Sequence, residues 1–208
     1  MNHIEKLIER MPVLAGCAEG MTAAVEAICH THLAGGKILL CGNGGSAADS
    51  EHISGELLKG FLLKRPAEEG YPAALQRGLC AIPLTSMSAA LSAFANDCEP
   101  SLVYAQLVYA MGRRGDVLVG LSTSGNSKNV VGAAKVAKRA GLVTVALTGE
   151  SGGALLDICD VVIRVPAKET YLVQEYHLPV YHAICAEVEA RLYGEGQILI
   201  CRRVSFDR

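Results

Sequence analysis

Two pairs of side chains carry the spacing of a site. His52 and Glu56 stand four residues apart, which on a helix puts both on one face. Gln174 and His182 stand eight apart, a little over two helical turns, so they share roughly one side. Neutral imidazole, carboxylate and amide oxygen together make a divalent-metal set, and imidazole favours zinc or nickel. The same groups also read as an acid/base pair, a carboxylate and an imidazole on opposite sides of a substrate. The residue types leave both chemistries open. Taken singly, each histidine is more often a capped or core residue, and His3, His30, His32 and His177 are read that way. Only the grouping sets His52 and His182 apart.

Two turns supply a second chemistry. Cys41-Gly42-Asn43-Gly44-Gly45-Ser46 follows the apolar run Lys37-Ile38-Leu39-Leu40, and Leu121-Ser122-Thr123-Ser124-Gly125-Asn126-Ser127 follows Asp116-Val117-Leu118-Val119-Gly120. Small residues let backbone N–H groups approach a ligand, a helix start adds partial positive charge, and hydroxyls add donors. That combination holds an anion, most often a phosphate. The serine-rich turn is the stronger signal, with three hydroxyls just before a helix; its plain alternative is a polar turn with capping serines. The first turn is not the dinucleotide fingerprint. Gly42-Asn43-Gly44-Gly45-Ser46-Ala47 lacks the third glycine, and no acid follows at the end of a second strand. Two such turns point to a small phosphorylated metabolite.

Short β-branched or apolar runs predict strands at 37–41, 79–84, 116–121, 142–148 and 160–165. Their lack of alternation suits strands buried on both faces. Helices are expected at 44–59, 88–96, 100–113, 126–140 and 169–193, and over 3–33 with an interruption near Pro12 and Gly16. This alternation predicts a parallel sheet covered by helices on both sides. The segment 61–78 mixes charge with Pro66, Gly70 and Pro72 and reads as a surface loop or short helix over one sheet edge. No repeat or linker divides the chain, so a single domain over 1–193 is expected. A tail, 194–208, opens with Gly194 and Gly196 and carries Ile198-Leu199-Ile200.

Composition narrows the class. The chain has 208 residues, half of them hydrophobic, with a net charge of −2, a globular core-former without an electrostatic footprint for nucleic acid. The start is charged and lacks the apolar stretch of a signal peptide. No apolar run approaches the roughly 18 residues of a membrane span. Eight cysteines contain no CxxC. Cys41, Cys80, Cys159 and Cys185 lie in apolar runs and read as reduced core thiols of a cytoplasmic protein.

The stretch GNGGSAADSEHISGE (42–56), Ala95-Asn96-Asp97, the LSTSGNS turn (121–127) and Gln174-Glu175-x-His177 with His182 resemble the sugar isomerase (SIS) domain family, nearest its phosphoheptose isomerase branch. The resemblance runs from about residue 3 to residue 193. It implies a flavodoxin-like three-layer α/β/α sandwich with a five-stranded parallel sheet, a homotetramer with sites between subunits, and one zinc ion per site. It also implies isomerisation of a seven-carbon sugar phosphate through an enediol. By the same resemblance Ser122, Thr123, Ser124 and Ser127 bind the phosphate. Asn43, Gly44 and Ser46 hold the sugar end, and Asp97 and Gln174 meet substrate hydroxyls. Glu56 and His182 are the catalytic pair, and His52, Glu56, Gln174 and His182 the metal ligands.

The pattern departs from the family in places. Thr85-Ser86-Met87 stands where members commonly carry Thr-Thr-Asp, and Tyr171-Leu172-Val173 precedes Gln174 in place of an Arg or small polar residue. The segment 61–78 is long, and the tail is extra. Isomerisation of a different sugar phosphate is therefore an alternative. A non-catalytic phosphosugar sensor or a replication-initiator-binding adaptor would keep the fold and the serine turn, but retention of all four polar residues argues against both. A DNA-binding headpiece of roughly 70 basic residues has no place in a chain that begins in the first SIS helix, and an amidotransferase-type isomerase needs further domains.

Overall fold

Apolar strands alternate with helices through residues 1–194, the part of the chain that the computed structural model describes. The strands are β1 (Ile38–Cys41), β2 (Ala81–Pro83), β3 (Val117–Leu121), β4 (Val143–Thr148) and β5 (Val161–Arg164). They form one sheet in the order β2-β1-β3-β4-β5, and every pair is parallel. In register, Leu39 stands opposite Leu118, which stands opposite Thr144. Every residue of β1 and β3 is buried.

Successive residues of these strands point to opposite faces, and two cores result. Ile38, Leu40, Val117, Val119, Leu121, Val145, Leu147 and Ile163 meet α1 (His3–Arg10), α2 (Ala18–Leu33), α3 (Gly45–Leu58) and α8 (Thr170–Tyr193). Leu39, Cys41, Leu118 and Ala146 meet α5 (Val103–Met111), α6 (Lys128–Ala140) and α7 (Leu155–Ile158), with Leu91 of α4 (Ser88–Asp97) alongside. This is the three-layer α/β/α sandwich that the sequence led us to expect.

Local chemistry sets the boundaries. Asn2 and Glu5 form a reciprocal capping box at the start of α1, satisfying two orphan N–H groups. Pro12 then ends that helix and opens a 3₁₀ turn, Pro12–Cys17, before α2. The helix expected over 100–113 starts as a 3₁₀ turn at Pro100 and stops at Met111. Pro12–Leu33 is the one stretch among the described residues that is long and apolar enough to cross a membrane. The expectation of no such run fails there, although Met21, Ala24, Val25 and Ile28 are core residues. Cys80 also corrects its expectation, being exposed. It immediately precedes the edge strand β2, where Leu79 and Ala81 turn inward and the residue between them turns out. The tail residues 195–208 lie outside the described residues.

The strand order creates the site's location. From β1 the chain passes over one face to β2, then returns to β3 on the other side of β1. Helix α3 leaves β1 on the first face and α6 leaves β3 on the second. The connections diverge and leave a crevice at the carboxyl ends of β1 and β3, the switch point where such sheets bind ligands.

The segment after α3 forms no helix; it is a loop with one antiparallel bridge, Pro66 to Gln76. A single buried carboxylate holds it. Glu189 on α8 is 0% exposed and accepts from the N–H groups of Phe61 at 2.8 Å, Leu62 at 2.6 Å and Leu63 at 2.9 Å, and from Arg65 Nε at 2.7 Å. Arg65, equally buried, donates through Nη1 to the Leu57 carbonyl at 3.0 Å. Burial alone would raise the Glu189 pKa, but the N–H groups of Phe61 and Leu62 and the Arg65 guanidinium outweigh it and hold the group ionised. Glu189→Leu leaves the Arg65 charge unpaired and is expected to cost ~3–5 kcal/mol in denaturant unfolding, with the double change Glu189→Leu, Arg65→Met costing less.

A second expectation concerns acid. Burial lowers the pKa of His177 from 6.5 to about 4, with the nearby Thr148 carbonyl acting weakly in the opposite direction. The folded chain keeps this imidazole neutral, whereas the unfolded chain protonates it below 6.5. Its contribution is therefore complete above pH 6.5 and is lost as pH falls toward about 4. His177→Leu should flatten the pH dependence of the unfolding free energy across that window.

Candidate active site

Both turns lie at the crevice. Gly44 takes φ +55°, a left-handed backbone that glycine adopts without strain. At Gly45 a Cβ would stand 2.8 Å from Gln174 Nε2, so the missing side chain makes room for that amide. In the second turn the Ser122 hydroxyl donates to Ser127 Oγ at 2.9 Å, and the Asn126 N–H donates to Ser124 Oγ at 3.1 Å. Ser127 is the N-cap residue of α6, yet its side chain makes no capping bond, and no side chain caps α3 at Gly44. Neither N-cap residue caps its helix with its own side chain, although in α6 the Val130 N–H donates to Asn129 Oδ1 at 3.0 Å, and the two helix N-termini open on the crevice.

Asn43 and Asn129 join the turns. Their side-chain amides exchange two hydrogen bonds, Asn43 Nδ2 to Asn129 Oδ1 at 2.9 Å and Asn129 Nδ2 to Asn43 Oδ1 at 2.8 Å. Ser124 is exposed, Thr123 half-buried, and Ser122 and Ser46 buried. Asp97 is exposed at the end of α4 and accepts from Asn96 Nδ2 at 2.8 Å.

The imidazole–carboxylate group forms lower down, where α3 packs against α8. His52 Nε2 lies 3.2 Å from Glu56 Oε1 and 3.3 Å from His182 Nε2. One donor atom from each of these three residues falls within 4.8 Å of the others. Gln174 does not join them through any hydrogen bond among the described residues. Its amide lies at Gly45, seven residues before His52 and so about 10 Å away along the axis of α3. Behind His52 the Tyr181 hydroxyl donates to Asp49 Oδ1 at 3.1 Å and lies 3.0 Å from His52 Nδ1. Phe61 stands against His182, ring centroids 5.6 Å apart.

A cleft of about 440 Å³ opens beside His182 and is lined by His3, Lys6 and Arg10 of α1, with Phe61 and Pro179. Burial lowers the pKa of His182, neighbouring His52 and Arg10 act in the same direction, and Glu56 opposes them. The net effect keeps this imidazole neutral, the form that ligates a metal or takes up a proton. Burial raises the Asp49 pKa against the Tyr181 bond, while burial and the nearby Asp49 both raise that of Tyr181, which stays a phenol. The arrangement can hold a divalent cation, and it can move protons.

Four neighbours were not read from the sequence. Asp49 lies three residues before His52 on the same helix, a spacing that could have marked it. Asn129, Phe61 and Tyr181 carry no such signal, because their partners come from other elements.

The SIS domain family model matches residues 2–149. The phosphoheptose isomerase of Maridesulfovibrio salexigens is 46% identical over 159 residues, 76% of this chain and 72% of that protein. That of Akkermansia muciniphila is 40% identical over 193 residues, 93% of this chain and 96% of the other. Among solved structures, the phosphoheptose isomerase of Neisseria gonorrhoeae matches with TM-score 0.71 at 37% identity, covering 88% of this chain and 90% of its own. That of Francisella tularensis matches with TM-score 0.75 at 31% identity over 88% and 93%. With its fold, its two turns and its polar cluster in this arrangement, the chain belongs to the SIS domain family and, within it, to the phosphoheptose isomerases.

Proposed function

We propose that the protein interconverts sedoheptulose 7-phosphate and D-glycero-D-manno-heptose 7-phosphate. The observation that carries this reading is the convergence of His52, Glu56 and His182 between α3 and α8 in a chain that also carries two strand-to-helix turns rich in small residues and hydroxyls. A non-catalytic sensor has no need of that convergence.

An aldose–ketose isomerase moves one hydrogen between C1 and C2. A base removes the C1 proton of the ketose while the C2 oxygen gains one, giving an enediol. Proton delivery to C2 and removal from the O1 hydroxyl then give the aldose. Glu56 and His182 divide this work as a carboxylate and a neutral imidazole. Ser122, Thr123, Ser124 and Ser127 take the phosphate, with Asn43, Gly44, Ser46, Asp97 and Gln174 assigned to the sugar. Phosphate binding, remote from the reacting carbons, provides energy for orienting them.

Two imidazole nitrogens and a carboxylate oxygen within 4.8 Å of one another suit a zinc ion. His52, Glu56 and His182 would hold it, with Gln174 as the fourth ligand. A bound divalent ion supplies Lewis acidity toward a developing oxyanion. The Gln174 amide sits at Gly45 in one chain, which favours a complete site between subunits of a homotetramer. Exposed Leu58, Leu62, Leu63 and Leu178 flank α3 and α8 and suit such an interface. The seven described cysteines are free thiols, in keeping with a cytoplasmic setting.

Glu56→Gln and His182→Asn are each expected to lower turnover of sedoheptulose 7-phosphate by at least ~10²-fold with an unchanged melting temperature. Turnover near wild type in either variant removes that residue from the chemistry. Ser124→Ala should raise KM roughly tenfold, the loss of one charge-assisted hydrogen bond, and leave kcat nearly unchanged. An unaltered KM would refute the phosphate assignment.

A further inference from the structure

Tyr181 is 2% exposed, so its ring is fixed by packing. It stands edge-on to both histidines, with ring centroids 5.4 Å from His52 at 73° and 5.0 Å from His182 at 80°. Its hydroxyl oxygen serves two neighbours at once, Asp49 Oδ1 at 3.1 Å and His52 Nδ1 at 3.0 Å.

The protons at this junction can be counted. A carboxylate has none to give, so the single phenol proton goes to Asp49. The contact to His52 is then a hydrogen bond only if His52 Nδ1 carries a proton and donates it to the phenol oxygen. A neutral imidazole has one N–H, which leaves His52 Nε2 bare. That bare nitrogen faces Glu56 Oε1 at 3.2 Å and His182 Nε2 at 3.3 Å. A lone pair and a carboxylate oxygen at that separation repel unless a cation lies between them.

We infer that Asp49 and Tyr181 are positioning residues that lock His52 in its Nδ1–H tautomer, so that its Nε2 lone pair is presented to a divalent cation shared with Glu56 and His182. The inference deepens the proposed metal centre and rests on that reading for its consequence. Outer partners of this kind fix the ring orientation and tautomer of a ligating histidine. The relay makes His52 a ligand rather than a proton-transfer group, because its one proton points away from the centre.

The test uses the full chain, metal-free and then titrated with zinc. Ring-nitrogen NMR of ¹⁵N-histidine protein at neutral pH, with the His52 signal identified by its loss in His52→Asn, reads the tautomer without metal. Competition with a chromogenic chelator reads zinc affinity. Wild type should show Nδ1–H at His52. Tyr181→Phe, which keeps the ring, and Asp49→Ala, which frees the phenol proton to turn toward Nδ1, should each shift His52 toward Nε2–H. Both should weaken zinc binding by ~10–100-fold with secondary structure unchanged. An Nε2–H tautomer in wild type overturns the inference. So does a lower melting temperature in both variants with tautomer and zinc affinity unchanged, since Tyr181 would then serve packing alone. A wild-type protein that binds no zinc while keeping Nδ1–H at His52 refutes the metal reading and overturns the cation-presenting role with it, leaving the tautomer lock standing.

Discussion

Helices α3 and α8 run side by side in the same direction on one face of the sheet, and the closeness of their approach sets the distances within the polar cluster. Three contacts at successive heights hold it. At the top, Gly45 leaves space for the Gln174 amide. In the middle, His52 meets His182. At the bottom, Arg65 links the Leu57 carbonyl to Glu189. The intervals are seven and five residues on α3 and eight and seven on α8, so contacts at one height recur at the next, as two nearly parallel helices of equal rise require. A side chain at position 45 would wedge the top apart, and loss of the buried ion pair would release the bottom. The middle, where His52, Glu56 and His182 converge, has its spacing fixed by the two ends.

The same geometry separates two tasks. The proposed function gives anion recognition to the turns, where the hydroxyls of Ser122, Ser124 and Ser127 cluster at the divergence of β1 and β3. It gives the proton and cation chemistry to His52, Glu56 and His182 on the helix bodies, where Glu56 and His182 are partly shielded from water. Asn43 and Asn129 couple the turns to each other, while Gly45 and Gln174 couple the first turn to α8. The loop tied down by Glu189 sets Phe61 against His182 and closes one wall of the cleft, whose opposite wall is the cationic side of α1.

Much of this could be read in the sequence. The five strands were legible because strands buried on both faces must be uninterrupted apolar runs, and the positions of the turns because small and hydroxyl residues there break the apolar run between a strand and a helix. His52 and Glu56 were legible because one helical turn relates them. Gln174 was harder to read, since periodicity tells which side of a helix a residue takes and not what stands opposite at that height. Asn129, Phe61 and Tyr181 were illegible for a related reason: each matters through a partner from a distant element. Helix α7 has four residues, too few to show a period. The Arg65–Glu189 pair joins residues 124 apart in sequence, and nothing local marks either as buried.

A polar centre between two packed helices needs a sealed side, or the same residues would bring water into the core. On α3 the inward positions are Ser50, Ile53, Ser54 and Leu57, all buried, while Asp49, His52 and Glu56 take the other side. The two buried serines satisfy their own hydroxyls, Ser50 on the Ser46 carbonyl and Ser54 on the Ala81 carbonyl, so neither competes for the histidines. On α8 Ile184, Cys185 and Val188 are buried, and His182 borders the cleft. Tyr181 sits where the two sides meet. Its ring belongs to the core with Val180 and Ile184, and its hydroxyl belongs to the polar centre with Asp49 and His52. An aliphatic residue there would seal the core and leave the Nδ1 side of His52 without its partner. A small polar residue could offer a partner but would leave a cavity of ring size, at a cost of about 3–5 kcal/mol by analogy with aromatic-to-alanine changes. A buried phenol meets both demands, because it carries an apolar body and a polar tip on one side chain.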